Sequence, residues 1–405
     1  MRRLNLDSFL LLTLVSPIIM TYRLSPGLTP YWLFGIVFLL LLGYLIIPVK
    51  QMKLKDVCLW LIIILVVGSV YGSAIVVRHQ TAPIYQIHDM PLQLEAAIQF
   101  FLQGENPYTV NYFGTPLEDW RFSDIQVNPA LYHFVTMPWY LLFSLPFYFV
   151  SIPVLGYFDG RMPLLFSYGL ILFLTWKLLK EHNEKRLALV LLAFNPAAWG
   201  YFLEGRSDLF MFSFLFFGLF LLEKKKFFWA GIPLALAFAT KQSAWPVFPF
   251  YLFFIWWQTG KNWLKIVKYL IPFTLTFSLV VLPFLFWDVN SFLDDTLFYL
   301  SGSTEHSYPI SGYGWGMVLN QLGLIKNLSV NYPFWIWQLV ICLPIMVGLL
   351  YWLAKSVTVS RLLTAYGIFT LVFWYFSRYF NNSHLAYLSV VFIATYFWPV
   401  KKRND

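Results

Sequence analysis

Apolar runs recur from one end of this 405-residue chain to the other. They are close to the ~20 residues needed to cross the hydrocarbon of a bilayer. Hydrocarbon offers the backbone no hydrogen-bond partner, so such runs have to fold as helices. Only 12% of the residues are charged, against about 25% in a soluble domain. The pattern predicts a polytopic, all-α membrane protein. The first run follows Arg2 and Arg3, contains Pro17 and shows no small-residue cleavage pattern before Arg23. It therefore reads as a retained helix and not a removed signal. Cys58 and Cys342 both lie inside apolar runs, which argues against a loop disulfide or a thiolate metal site.

Twelve spans are expected, at 5–22, 31–49, 57–77, 162–180, 187–203, 208–222, 227–240, 244–258, 269–287, 334–354, 362–376 and 384–399. Basic residues gather in alternate gaps: Arg2 and Arg3; Lys50, Lys53 and Lys55; Lys177, Lys180, Lys185 and Arg186; Lys224 to Lys226. Lys261, Lys265 and Lys268, then Lys355 and Arg361, then Lys401, Lys402 and Arg403 continue the series. These make 20 of the 28 basic residues. The positive-inside rule then puts both termini in the cytoplasm. The net charge of +9 is thus a matter of membrane orientation, not a nucleic-acid footprint. Acids gather on the other side: Asp89, Glu95, Glu105, Glu118, Asp119, Asp124, Asp159, Glu204, Asp208, Asp288, Asp294, Asp295 and Glu305. The rule does not ask for this, because acids contribute little to it.

Residues 129–153 are apolar but carry Pro129, Pro138, Pro146 and Pro153. A single crossing there would move Lys180–Arg186 to the outside, so the segment is expected to be a re-entrant or interfacial pair of short helices ending at "FDGR". The chain then forms one integral membrane domain, 1–405, with two large outer segments at 78–161 and 288–333.

The segment "IHDMPLQLEAAIQFFLQGENPY" carries His88 and Asp89 in the first outer segment. Asp89 fits a helix N-cap with Pro91 in the first turn, and it equally fits an available base. The helix that follows has an amphipathic pattern suited to the membrane surface. "GENPY" and "NPALYHF" pair Asn-Pro with a tyrosine, which contributes Tyr108 and Asn128 as pocket candidates or simply marks turns. "LEGRSD" packs Glu204, Arg206 and Asp208 between two apolar helices, as an ordinary surface ion pair or as a recessed polar group. Lys241 interrupts "LALAFATKQSAWPVFPF". In one long helix it would cost about 3 kcal/mol near the bilayer centre, whereas between two short helices it snorkels or meets a phosphate. His306 lies in "HSYPISGYGWG", which reads as a substrate-covering loop, and Arg378 and His384 lie in "SRYFNNSHLAY". Four cations, Arg161, Arg206, Lys241 and Arg378, thus fall on one face. No glycine loop of the phosphate-binding kind follows a strand, so no nucleotide is expected.

These segments, in this order, resemble multi-spanning GT-C-type glycosyltransferases, in particular glycosyltransferase family 87, the polyprenyl-phosphate-mannose-dependent mannosyltransferases. The likeness is carried by "HDMPLQLEAAIQFFLQGENPY", "NPALYHFVTMPWYLLFSLPF", "FDGR", "FNPAAWGYFLEGRSDLF", "LALAFATKQSAWPVFP" and "SRYFNNSHLAYL", and it covers most of the chain from Ile87 onward. It implies transfer of a hexose, mannose in most of the family, from a polyprenyl-phosphate donor to a lipid or glycan acceptor. Transfer would take place at the outer face of a bacterial plasma membrane. Asp89 takes the position of the catalytic acid, with His88 beside it where relatives carry a second acid, which argues against a metal. Lys241, Arg206, Arg378 and Arg161 would meet the donor phosphate. Glu204, Asp208, Tyr108, Asn128, His306 and His384 would line the pocket. Neither a cofactor nor a nucleic acid is implied; the partners are donor, acceptor and membrane lipid. The alternatives are a transporter or flippase of polyprenyl-linked sugars, which are often built from internal repeats that are not evident here, and an inactive relative serving as a scaffold.

Overall fold

Helices make up nearly all the regular structure of the computed structural model, which describes residues 5–399 apart from 49, 82, 122, 124 and 125. Arg2, Arg3, Asp124, Lys401, Lys402 and Arg403, used above for orientation, lie outside the described residues. In chain order the helices are α1 (Leu6–Ile19), α2 (Tyr31–Ile46), α3 (Met52–Thr81), α4 (Asp89–Leu102), α5 (Pro138–Leu155) and α6 (Met162–Leu178). There follow α7 (His182–Ala193), α8 (Pro196–Glu204), α9 (Asp208–Glu223), α10 (Phe227–Phe238), α11 (Phe248–Gln258) and α12 (Trp263–Trp287). The last are α13 (Val289–Leu293), α14 (Tyr299–Ser301), α15 (Trp315–Gln321), α16 (Phe334–Trp337), α17 (Leu343–Ala354), α18 (Val359–Tyr375) and α19 (Asn382–Tyr396). Two short strands, β1 (Ser311–Gly312) and β2 (Tyr379–Phe380), pair in parallel.

Every expected span coincides with helix, but length separates them. Among the described residues, four stretches are long and apolar enough to cross a membrane: α3, α5, α12 and the run Phe334–Ala354. A fifth is added if α7 and α8, bent by 51° at Asn195, count as one broken span. Helices such as α10, with 12 residues, reach only about 18 Å. The protein is therefore a helical, membrane-embedded molecule in which several apolar helices are short or broken.

Residues 138–155 form one continuous helix where their prolines predict two short ones. Pro138 occupies the first turn, where its missing N–H costs nothing. Pro146 and Pro153 stay inside the helix, as apolar surroundings with other donors to hand allow. Length and composition would let α5 cross the membrane, but its contacts lay it across one end of the bundle. Its N-terminus bonds to the end of α10, through Met137 N–H to Thr240 O and Trp139 N–H to Ala239 O. Gly160, just beyond its C-terminus, accepts a bond from Tyr140 in its first turn. Helix α4 also departs from expectation. Leu92, Leu94, Ala97 and Ile98 are buried together with Asp89 and Gln93, so it is enclosed by protein instead of resting on a membrane surface.

Helix α9 runs through the middle, with Phe210, Met211, Phe212, Leu215 and Leu219 all inaccessible. Its contact with α10 depends on Gly218, where a Cβ would stand 2.5 Å from Leu234 Cγ. Small residues let apolar helices approach in this way where no hydrophobic drive exists between them. At the end of the bundle away from Asp89, buried charges join four helices. Arg186 of α7 bonds Asp7 of α1 and Asp56 of α3, each at 3.1 Å. Lys55 lies 3.4 Å from Asp7, and Tyr44 of α2 donates to Asp7 at 2.6 Å. Lys55 and Arg186, counted above among the basic residues between spans, are fully enclosed in an ion cluster.

Candidate active site

Asp89 opens α4 but does not cap it. The cap is His88, whose Nδ1 accepts from Met90 N–H at 3.3 Å, and His88 N–H is itself tied to Glu204 O at 2.8 Å. The capping alternative for Asp89 is therefore replaced: its carboxylate is not committed to the backbone of its own helix. Oδ2 accepts from the Tyr308 hydroxyl at 2.7 Å. Oδ1 rests against the His88 ring nitrogen but makes no regular hydrogen bond among the described residues. His88 thus closes over one carboxylate oxygen and Tyr308 over the other, and both oxygens are enclosed. Burial at 4% exposure pushes the Asp89 carboxyl up, but His88, Tyr308 and the charge of Arg206 outweigh it and hold it below the ordinary carboxylate range. The group is an enclosed, ionised carboxylate.

Tyr308 comes from a loop far along the chain, and that loop is clamped. Arg378, buried, donates to Tyr308 O at 2.6 Å, to Val330 O at 2.7 Å and to Leu328 O at 3.5 Å. Its guanidinium fits against Gly302, where a Cβ would come within 2.2 Å of it and φ is +87°; only glycine meets both demands. The β1–β2 bridge closes the same loop over the bundle end. Asn128 Oδ1 lies 3.1 Å from the Tyr308 hydroxyl while also accepting from Ala130 N–H, so Asn128 does belong to the site. Arg378 serves as the clamp of the loop, and its reading as a phosphate contact is corrected.

Arg161 is corrected in the same sense. It is wholly buried, with two bonds of 2.8 Å to Asp159 and others to the carbonyls of Gln86, Leu203 and Ala74. Burial disfavours its charge, but Asp159 more than restores it. Tyr108 is likewise structural: its hydroxyl bonds Thr136 O at 2.8 Å, and its ring packs against Phe134 and Phe292. His306 stacks on Tyr132 at 3.7 Å, in the same loop as Tyr308.

The remaining candidates come together beside Asp89. Lys241 pairs with Asp208 at 2.8 Å, both side chains partly exposed. Asp208, Lys241, His384 and Arg206 lie within electrostatic reach of one another, and Arg206 also reaches Asp89. Arg206 makes only a loose 3.7 Å contact with Glu204 and lies over the Tyr201 ring; its Nε bonds nothing among the described residues. It is the least committed of the four expected cations. His384 is held by Asn381 N–H at 2.9 Å, in a reciprocal cap of α19. Glu204 contributes mainly its carbonyl, with its side chain 44% exposed.

A further group was not singled out in the sequence. His133 Nδ1 lies 2.8 Å from Asp295 and 3.6 Å from Asp294, and Phe134 N–H also bonds Asp295 at 2.8 Å. One ligand atom from each of these three residues falls within 4.8 Å of the others, a grouping able to hold a cation where no metal was expected. Burial raises the Asp295 carboxyl to about 6 despite the bonds from His133 and Phe134. The only local signal was "LYHF" and "LDD", unremarkable in isolation. Compared with family models, curated proteins and solved structures, the chain matches none of them.

Proposed function

We propose that the protein is a membrane glycosyltransferase that moves a hexose, mannose in the first instance, from a polyprenyl-phosphate donor to a hydroxyl of a lipid or glycan acceptor. The observation that supports this most is the state of Asp89: buried, ionised, free of any capping duty, with one oxygen held by Tyr308 and the other paired with His88. The acceptor hydroxyl donates to the Asp89 carboxylate, displacing one of its present partners, and attacks the anomeric carbon from the face opposite the phosphate. The new carbon–oxygen bond forms as the carbon–oxygen bond to phosphate breaks. The electron pair leaves with the phosphate and the proton passes to Asp89. Arg206 meets the growing phosphate charge, and Lys241 joins it by exchanging Asp208 for the phosphate.

In this reading the twelve apolar segments are spans, broken ones included, with both termini in the cytoplasm, and α5 is an interfacial helix on the outer face. The polar end of the bundle then meets the leaflet that holds the donor. Purified protein in lipid, given polyprenyl-phosphate-mannose, a panel of acceptors and no nucleotide, is expected to form a glycoside of inverted anomeric configuration, read by NMR. A retained configuration would exclude the single displacement. Movement of the donor between leaflets without any glycoside would instead establish the flippase.

A further inference from the structure

A cleft of about 380 Å³ opens on another face of α4, lined by Arg78, His79 and Gln80 of α3, Glu95 and Gln99 of α4, and Tyr148 and Tyr157. Its volume falls within the range of small-molecule sites. Glu95 comes six residues after Asp89 on the same helix, about 9 Å along the axis and turned to a different side. The cleft is therefore separate from the Asp89 carboxylate.

Its chemistry selects the occupant. The arginine in its lining is already spent on protein: Arg78 donates to Glu95 at 2.7 Å through both terminal nitrogens, to Asp159 at 2.9 Å and to Pro83 O at 2.5 Å, and His79 lies 3.3 Å from the same Asp159. Two carboxylates beside it disfavour a phosphate, while Glu95 is itself occupied by Arg78 and by Gly160 N–H at 2.7 Å, which disfavours a cation. What the cleft offers is neutral. Gln80 and Gln99 are exposed amides, each carrying donors and an acceptor. Tyr157 stacks on His79 at 3.7 Å, with Tyr148 nearby on α5. Aromatic faces beside amide groups suit a molecule with apolar C–H faces and hydroxyl edges.

We propose that this cleft is a second saccharide subsite, which holds a neutral pyranose ring away from the reacting centre. Its border on α5, whose Phe149, Val150 and Val154 are exposed, places it where the sugar of a lipid-linked saccharide would lie. The proposal concerns binding and stands whether or not the protein transfers sugar. Saturation-transfer NMR on the full-length protein in nanodiscs, with methyl α-mannopyranoside and mannose 6-phosphate as probes, tests it directly. The neutral glycoside is expected to give saturable ring C–H signals. Affinity should fall at least tenfold in Tyr157→Ala and in the surface variant Gln99→Ala, and stay unchanged in Asp89→Asn. Absence of saturable binding would overturn the subsite. So would loss in Asp89→Asn with retention in both cleft variants, or preference for the phosphorylated sugar.

Discussion

At Asp89 the carboxylate is shaped by two partners of different origin. His88 is its neighbour in sequence, while Tyr308 arrives from more than two hundred residues away. A hydrogen bond to a charged group contributes about 1.5–3 kcal/mol, so Tyr308→Phe is expected to lower kcat/KM by roughly 10- to 100-fold. It also has a pH signature. Asp89 is held below the ordinary carboxylate range, so activity is full above that range and fails only as pH falls through the lowered pKa. Removing the Tyr308 bond raises that pKa, and the acid limb of the pH–rate profile should move upward. A limb that stays in place would show that Tyr308 does not act on Asp89. At this scale the sequence was informative wherever a charge was out of place. His88, Asp89, Arg206, Asp208 and Lys241 all stood out against apolar surroundings, and all lie at or beside the site. It could not show which partner each charge takes. Arg161 and Arg378 looked like Arg206 in a string of letters, yet one is bound to Asp159 and the other to three carbonyls. Tyr308 carries no charge and was marked only by its place in the loop "HSYPISGYGWG".

Among the elements, α5 shows most clearly how local rules and tertiary context diverge. Proline breaks a helix by removing one donor and crowding one carbonyl, which led to two short helices in the sequence reading; the structure keeps one. Hydropathy alone would make it a span, but its first turn and the residues beyond its last share one end of the bundle. Single cysteines at Val135 and Tyr157, both partly exposed, in a background lacking Cys58 and Cys342, should therefore react with a membrane-impermeant maleimide from the same side. Labelling from opposite sides would make α5 a crossing. The helical character of the apolar runs was legible because hydrocarbon leaves no other option. Their ends were not, since breaks such as that between α7 and α8 depend on packing between distant helices.

For the whole molecule, the two ends of the bundle have different tasks. The end with Asp7, Lys55, Asp56 and Arg186 fixes four helices through buried ion pairs. Removing one member leaves its partners charged and unpaired, a cost of about 3–5 kcal/mol. Arg186→Ala should accordingly lower the melting temperature in detergent markedly, while Arg206→Ala, at the partly exposed opposite end, should leave it nearly unchanged and reduce turnover. Equal melting of both variants would contradict this division. In the proposed reading the end with Asp89 carries the chemistry and faces the outer leaflet, as the charge bias in the sequence leads us to expect. The measurement that tests the account most directly is sugar transfer from polyprenyl-phosphate-mannose by wild type and Asp89→Asn, with folding checked by thermal melt. Near-complete loss of transfer in a folded Asp89→Asn variant is the predicted result; equal transfer by the two proteins would contradict the role of Asp89 and the mechanism built on it.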